Sequence, residues 1–107
     1  MDQIALLYTT WPDAETAERV AELAIENRLA ACVNVLATGT SIYRWRGKLE
    51  RTAETVAIFK TTGAQATALS HLIVDQHPSE TPTVLVLTVE TAGSNPAFLA
   101  WVGENAR

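Results

Sequence analysis

"SIYRWRGKLERTAETVAIFKTT", residues 41–62, decides the fold. Two alternating runs flank a charged turn. On the way in, Ile42, Arg44 and Arg46 fall on one side of an extended chain, with Tyr43 and Trp45 on the other, because successive strand side chains point to opposite faces. On the way back, Val56 and Ile58 share one side, Ala57 and Phe59 the other. Arg46-Gly47-Lys48 is a tight connection in which Gly47 supplies the positive φ. The stretch is a β-hairpin, and the remaining elements are placed around it.

Upstream, "AACVNVL" (30–36) reads as the strand leading into the hairpin, with a bend or bulge at Ala37-Thr38-Gly39. Before it, "QIALLYT" (3–9) is an apolar run without helical period, hence a buried strand. "TTWPDAET" supplies helix-start chemistry, with Asp13 as N-cap and Glu15 in the first turn. Ala17, Val20, Ala21 and Ala24 then form an apolar stripe on a helix ending near residues 27–29. Downstream, Gly63 opens a second helix with Ala66, Leu69, Leu72 and Ile73 inward, stopped by Pro78. "TVLVLTVE" (83–90) reads as a central strand. In "AGSNPAFLAWV", Ser94 or Asn95 caps a short terminal helix with Pro96 at its start and Phe98, Trp101 and Val102 on one side. Trp11 and Trp101 read as packing residues, and His71 with Asp75 as a solvated helix pair. The order βαβ–βαβ with right-handed crossovers puts both long helices on one sheet face. That is an α+β, ferredoxin-like (split βαβ) sandwich, one domain over residues 1–107.

The chain is 107 residues long, 48% hydrophobic and 19% charged, with net charge −4, so a packed core is expected and disorder is not. Acids and bases are interleaved without a basic stripe, which argues against nucleic acid. No apolar run reaches the ~20 residues of a membrane span, and "MDQIALLYTTWPD" carries an acid where a secretory signal carries a base. Cys32 is the single cysteine, so no disulfide framework is expected and a reducing, cytoplasmic setting is. "IALLY" and "VLVLTV" do not alternate, so the sheet is apolar on both faces while helices cover one. A second copy of the chain is the expected cover.

"RLAACVNV" (28–35), the hairpin, "HPSETP" (77–82) and "AFLAWV" (97–102) resemble, in order and spacing, the blocks of the CutA divalent-cation tolerance family. The resemblance implies a cytoplasmic, ferredoxin-like subunit in a tight homotrimer, similar in architecture to the PII signalling proteins and associated with tolerance to divalent metals, notably copper. Tyr43, Trp45, Gly47, Glu54, Lys60 and Thr61 stand at the family's hairpin signature, Cys32 at its Ala-Cys position, and His77-Pro78 at the end of its second helix. Ser79 replaces an aromatic and Thr83 an acid. Tyr8 and Thr9 stand where some relatives carry a cysteine, which removes a soft copper ligand.

The candidate metal ligands are His77 and Glu80, three residues apart between stiffening prolines, and Cys32. Imidazole suits copper or zinc, and carboxylate suits most divalent ions. The residues themselves favour His77 as a cap of the helix C-terminus and Cys32 as a structural thiol in apolar "LAACVNV". Lys60, Thr61 and Glu54 are candidates for an anion cleft beside the Gly63 helix start; Lys60 reads equally as an ion-pair partner of Glu54 or of a neighbouring subunit's acid. Tyr43 and Trp45 are expected in the trimer interface, with ligand stacking as the other use. The expected function is a divalent-cation tolerance protein binding copper or a similar ion weakly at a subunit-interface cleft. The alternatives are a PII-like small-anion sensor and an adaptor trimer presenting loops to a partner protein. Without a Ser-His-Asp order, a nucleophile elbow or paired catalytic carboxylates, no enzyme is expected.

Overall fold

Strand β1 (Ile4–Trp11) is the line on which the sheet is built, in a computed structural model that describes residues 3–107. It is followed by α1 (Ala14–Glu26), β2 (Cys32–Trp45), β3 (Lys48–Thr62), α2 (Gly63–Gln76), β4 (Val84–Thr88) and α3 (Pro96–Asn105). The sheet is antiparallel in the order β2-β3-β1-β4, the ferredoxin-like arrangement.

Alternation sorts the side chains. Ala5, Leu7 and Trp11 of β1 and Ala57 and Phe59 of β3 meet Ala17, Val20, Ala21 and Ala24 of α1 and Ala66, Leu69 and Ile73 of α2 in the main core. The other face holds Leu6 and Tyr8, Val56 and Ile58, and Leu85 and Leu87, neighbours by register. Among the described residues only one corner of that face is covered: α3 packs Leu99, Val102 and Ala106 on Ile4 and Ala31.

Two expectations need correction. β4 is an edge strand, not a central one, and Leu85, Val86 and Leu87 are exposed in the single subunit. An all-apolar strand reports the polarity of what lies above and below it, not the number of its neighbours. Likewise α3 buries Leu99 and Val102, while Phe98 and Trp101 stand half-exposed and stack on each other at 5.7 Å. Trp11 is a core residue, with no exposed surface. Asp75 accepts a hydrogen bond from the Gln76 side chain at 3.3 Å; the expected pairing with His71 is replaced by that contact.

The hairpin is longer than its alternation suggested, and its turn is sharper. Arg46 and Gly47 both have positive φ (50° and 80°), as a two-residue turn between Trp45 and Lys48 demands. The register slips between Val35 and Thr38, so Leu36 and Ala37 together face Val56. This bulge inverts the phase of β2. Val33 and Val35 face the helices before it; Tyr43 and Trp45, also odd-numbered, face the open side after it. The projecting hairpin stretches the subunit to 45 × 28 × 23 Å, with a radius of gyration of 14.4 Å, against about 13 Å for a compact chain of this length.

Helix α1 ends in paired bonds, Leu29 N–H to Ala24 O and Arg28 N–H to Ile25 O, with Arg28 at φ 59°. Arg28 holds that left-handed position in place of glycine, and its guanidinium donates to the carbonyls of Glu104 and Arg107, tying the end of α1 to the end of α3. At the other end of α1, Asp13 accepts from Thr16 N–H at 2.7 Å, and this bond holds its carboxyl below the usual aspartate value of 3.8. A folded-state value below the unfolded one gives a contribution that is complete above about pH 4 and lost as pH falls through the depressed value. Thermal midpoints of the wild type should therefore drop more steeply below pH 4 than those of Asp13→Asn, which caps without titrating. Parallel pH profiles would remove the cap from the account. Among the described residues no helix is long and apolar enough to cross a membrane.

Candidate functional site

The bulge and the sharp turn bring the aromatic side of the hairpin against the loop that joins α2 to β4. Tyr43, Trp45 and Glu54 line one wall of a cavity of about 550 Å³; Ser79, Glu80, Thr81 and Thr83 line the other. Tyr43 is steadied by its hydroxyl, 3.0 Å from Thr52 Oγ1, and Trp45 by the Arg46 guanidinium, 5.5 Å over its ring. Glu54 and Glu80, from different elements, thus share one cleft.

His77 stands behind this loop. Ser79 N–H donates to its Nδ1 at 3.0 Å, so the proton of the neutral ring is on Nε2, which donates to Thr10 O at 2.7 Å. The ring stacks on Trp11 at 4.4 Å. Trp11 Nε1 in turn donates to Thr9 Oγ1 and Thr9 Oγ1 to Ala57 O, both at 2.7 Å. His77 is the C-cap residue of α2, as one sequence reading has it, but its side chain works elsewhere. The imidazole caps no carbonyl of α2, and neither nitrogen offers a free lone pair in this arrangement. It fastens the 79–83 loop to β1.

The other candidates lie elsewhere. Cys32 is half-buried at the start of β2, opposite Lys60. Lys60 is in turn opposite Leu6, four residues along β1 from the Thr10 that holds His77; that is about 13 Å at strand rise. One subunit therefore does not bring Cys32 to His77 and Glu80, and among the described residues no three His, Cys, Asp or Glu side chains converge. Lys60 and Glu54 lie six residues apart on β3, about 20 Å, and do not pair. Lys60 Nζ sits 5.2 Å over the Phe98 ring, at a second cavity of about 410 Å³. Thr61 points to the helix side, buried, donating to Leu29 O at 2.6 Å. The Gly63 N–H at the start of α2 is spent on Gln3 O at 2.6 Å. A Cβ on Gly63 would meet the Gln3 side chain at 3.3 Å, so Gln3 crowds that helix start.

Sequence reasoning missed Trp11 as the seat of His77, Phe98 as the partner of Lys60, and Thr81 as a wall of the cleft. The i+2 spacing of Thr9 and Trp11 marks a shared strand face; the Lys60–Phe98 pairing has no local signal.

A sequence model of the family described as CutA1 divalent ion tolerance protein matches residues 5–105. The chain is 40% identical to the divalent-cation tolerance protein CutA of Pectobacterium atrosepticum over 99% of its own length and 94% of that protein's. It is 39% identical to the Protein CutA homolog of Xenopus laevis over 94% of its length, but spans only 66% of that protein, and little more than half of the mouse and human counterparts. The crystal structure of the divalent ion tolerance protein CutA1 from Ehrlichia chaffeensis superposes with a TM-score of 0.91 at 33% identity, covering 100% of this chain and 98% of that one.

Proposed function

Since this chain belongs to the CutA1 divalent ion tolerance protein family, we propose that it acts in divalent-cation tolerance as a cytoplasmic, non-catalytic homotrimer that binds cations weakly at the hairpin–loop cleft. One observation carries the reading: Glu54 and Glu80 line the same cavity. The donors there are oxygens, two carboxylates with the hydroxyls of Ser79, Thr81 and Thr83 beside them. Such a set fits a hard divalent ion loosely and copper poorly. A single subunit falls short of a full coordination shell, and a neighbouring copy is the proposed source of further ligands. His77 acts as a positioning residue, holding the loop that carries Glu80; Cys32 takes no part. Tyr43 and Trp45, exposed on the hairpin, form the wall between cleft and neighbour.

Zinc and manganese titrations by calorimetry test this. Heat seen with the wild type should vanish in Glu54→Gln/Glu80→Gln. The ring-nitrogen shifts of His77, followed by NMR during the zinc titration, should keep the pattern of the neutral Nε2–H tautomer. An unchanged isotherm in the double variant, or a zinc-dependent shift at His77, would return the ligand role to the imidazole.

A further inference from the structure

In the proposed assembly the cation cleft turns its open side to a neighbouring copy, with Tyr43 and Trp45 as the wall between them. An ion that reaches Glu54 there needs an approach from another direction, and strand geometry supplies one. Ala53 and Glu54 are consecutive on β3, so their side chains leave the sheet on opposite faces. Thr55, Ala57 and Phe59, all buried, continue the face of Ala53 beneath the helices, while Val56 and Ile58 continue that of Glu54. Ala53 itself is exposed.

On the Ala53 side a further cavity, of about 580 Å³, lies between Pro12, Ala53, His77 and Pro78. Pro12 follows Trp11, whose ring is in the main core, and His77 stacks on that ring at 4.4 Å. These walls therefore belong to the helix side of the sheet, not to the open face. Glu54 and Ser79 line this cavity and the cation cleft alike, so the two meet at the carboxylate and at the loop that carries Glu80.

We propose, on the strength of the cation-cleft reading, that this helix-side cavity is the entrance by which a divalent cation reaches Glu54 in the assembled protein, with Ala53 as its lip. The chemistry is that of a passage and not of a second ion site. Among the described residues that line it, Glu54 carries the one carboxylate, and the cleft shares it. His77 has both ring nitrogens engaged, with Ser79 N–H and Thr10 O, and the Thr52 hydroxyl is paired with that of Tyr43. No wall group is left to hold an ion short of Glu54. Arg51 lies two residues before Ala53 on the same strand face, about 7 Å along it, and sets a like charge beside the incoming cation.

An entrance governs rates and not affinity, because a barrier on the path is crossed in both directions. Zinc is mixed with the full chain in stopped flow beside a zinc-sensitive dye, and withdrawn with EDTA for the return step. Ala53→Phe should slow association and dissociation alike by about tenfold, with calorimetric affinity and sedimenting mass as in the wild type. Ala53→Ser, which adds little volume, should exchange zinc at the wild-type rate. Arg51→Gln should speed association at low salt by about two- to fivefold, as loss of one repelling charge at that range predicts. Wild-type exchange in Ala53→Phe, equal slowing by Ala53→Ser, or an Arg51→Gln no faster than the wild type would each overturn the entrance. So would weaker binding by Ala53→Phe with unslowed dissociation, which would make position 53 part of the site. If the wild type gives no zinc heat that depends on Glu54 and Glu80, the cleft itself falls and the entrance with it; if that heat is present and exchange ignores position 53, the entrance alone falls.

Discussion

His77→Ala should lower the unfolding free energy by about 2–4 kcal/mol, a large effect for a partly exposed residue in a loop. The sum has two parts. Loss of the ring removes the stack on Trp11, worth about 0.5–1.5 kcal/mol. Loss of the nitrogens strands the Thr10 carbonyl, previously paired at 2.7 Å, and frees Ser79 N–H; an unsatisfied group of this kind costs about 1–3 kcal/mol. His77→Phe separates the parts, because it keeps a stacked ring and loses both bonds, and it should fall between wild type and alanine. Denaturant unfolding at matched subunit concentration measures all three, since assembly makes stability depend on concentration. The alanine variant should also bind zinc more weakly, through a loosened 79–83 loop. A cost under about 0.5 kcal/mol, the range of ordinary surface substitutions, would show that the imidazole fastens nothing.

That prediction could not have been written from the sequence, and the reason is instructive. What was legible there was local or periodic: the alternation of the hairpin strands β2 and β3, the stripe of Ala17, Val20, Ala21 and Ala24, the cap at Asp13, the turn at Gly47, and a bulge close to where it lies. Each follows from the backbone geometry of a few consecutive residues. The misplaced features depend on distant neighbours. β4 read as central because Val84–Thr88 is apolar throughout, yet its apolar character belongs to an edge strand that one subunit leaves uncovered. The fastening of the loop by His77 was not legible because its partner, Thr10, is 67 residues away. Lys60 and Glu54 read as one cleft because they share a strand, but strand rise separates what sequence proximity suggests is close. The candidate site was legible as a set of residue types, and its division into an acidic cleft and an apolar, cationic pocket was set by which elements the topology brings to each end of the sheet.

The largest effect is expected from Leu85→Asp/Leu87→Asp, which should convert a species of three times the 11.6 kDa subunit mass into single subunits at micromolar concentration. Leu85 and Leu87 are 58% and 48% exposed in the isolated subunit. By register they continue Tyr8 and Leu6, and Ile58 lies beyond Tyr8, so an apolar carpet runs across three strands with α3 covering one corner. Packing this carpet against other copies removes it from water at about 25 cal/mol per Å². A carboxylate placed within it must lose its hydration with no partner, at a cost on the order of several kcal/mol each, repeated in every subunit. Val74→Asp is the control. Val74 is as exposed as Leu87, at 49%, but lies on α2 behind the opposite face. If exposure alone governed assembly, both variants would dissociate; if the open sheet face governs it, only the leucine pair does. The wild-type thermal midpoint should also rise with protein concentration, and that dependence should disappear in the double variant. A wild type that sediments as one subunit, or a double variant that keeps the wild-type mass, would remove the trimer from the proposed function and leave Glu54 and Glu80 without a neighbour to complete their shell.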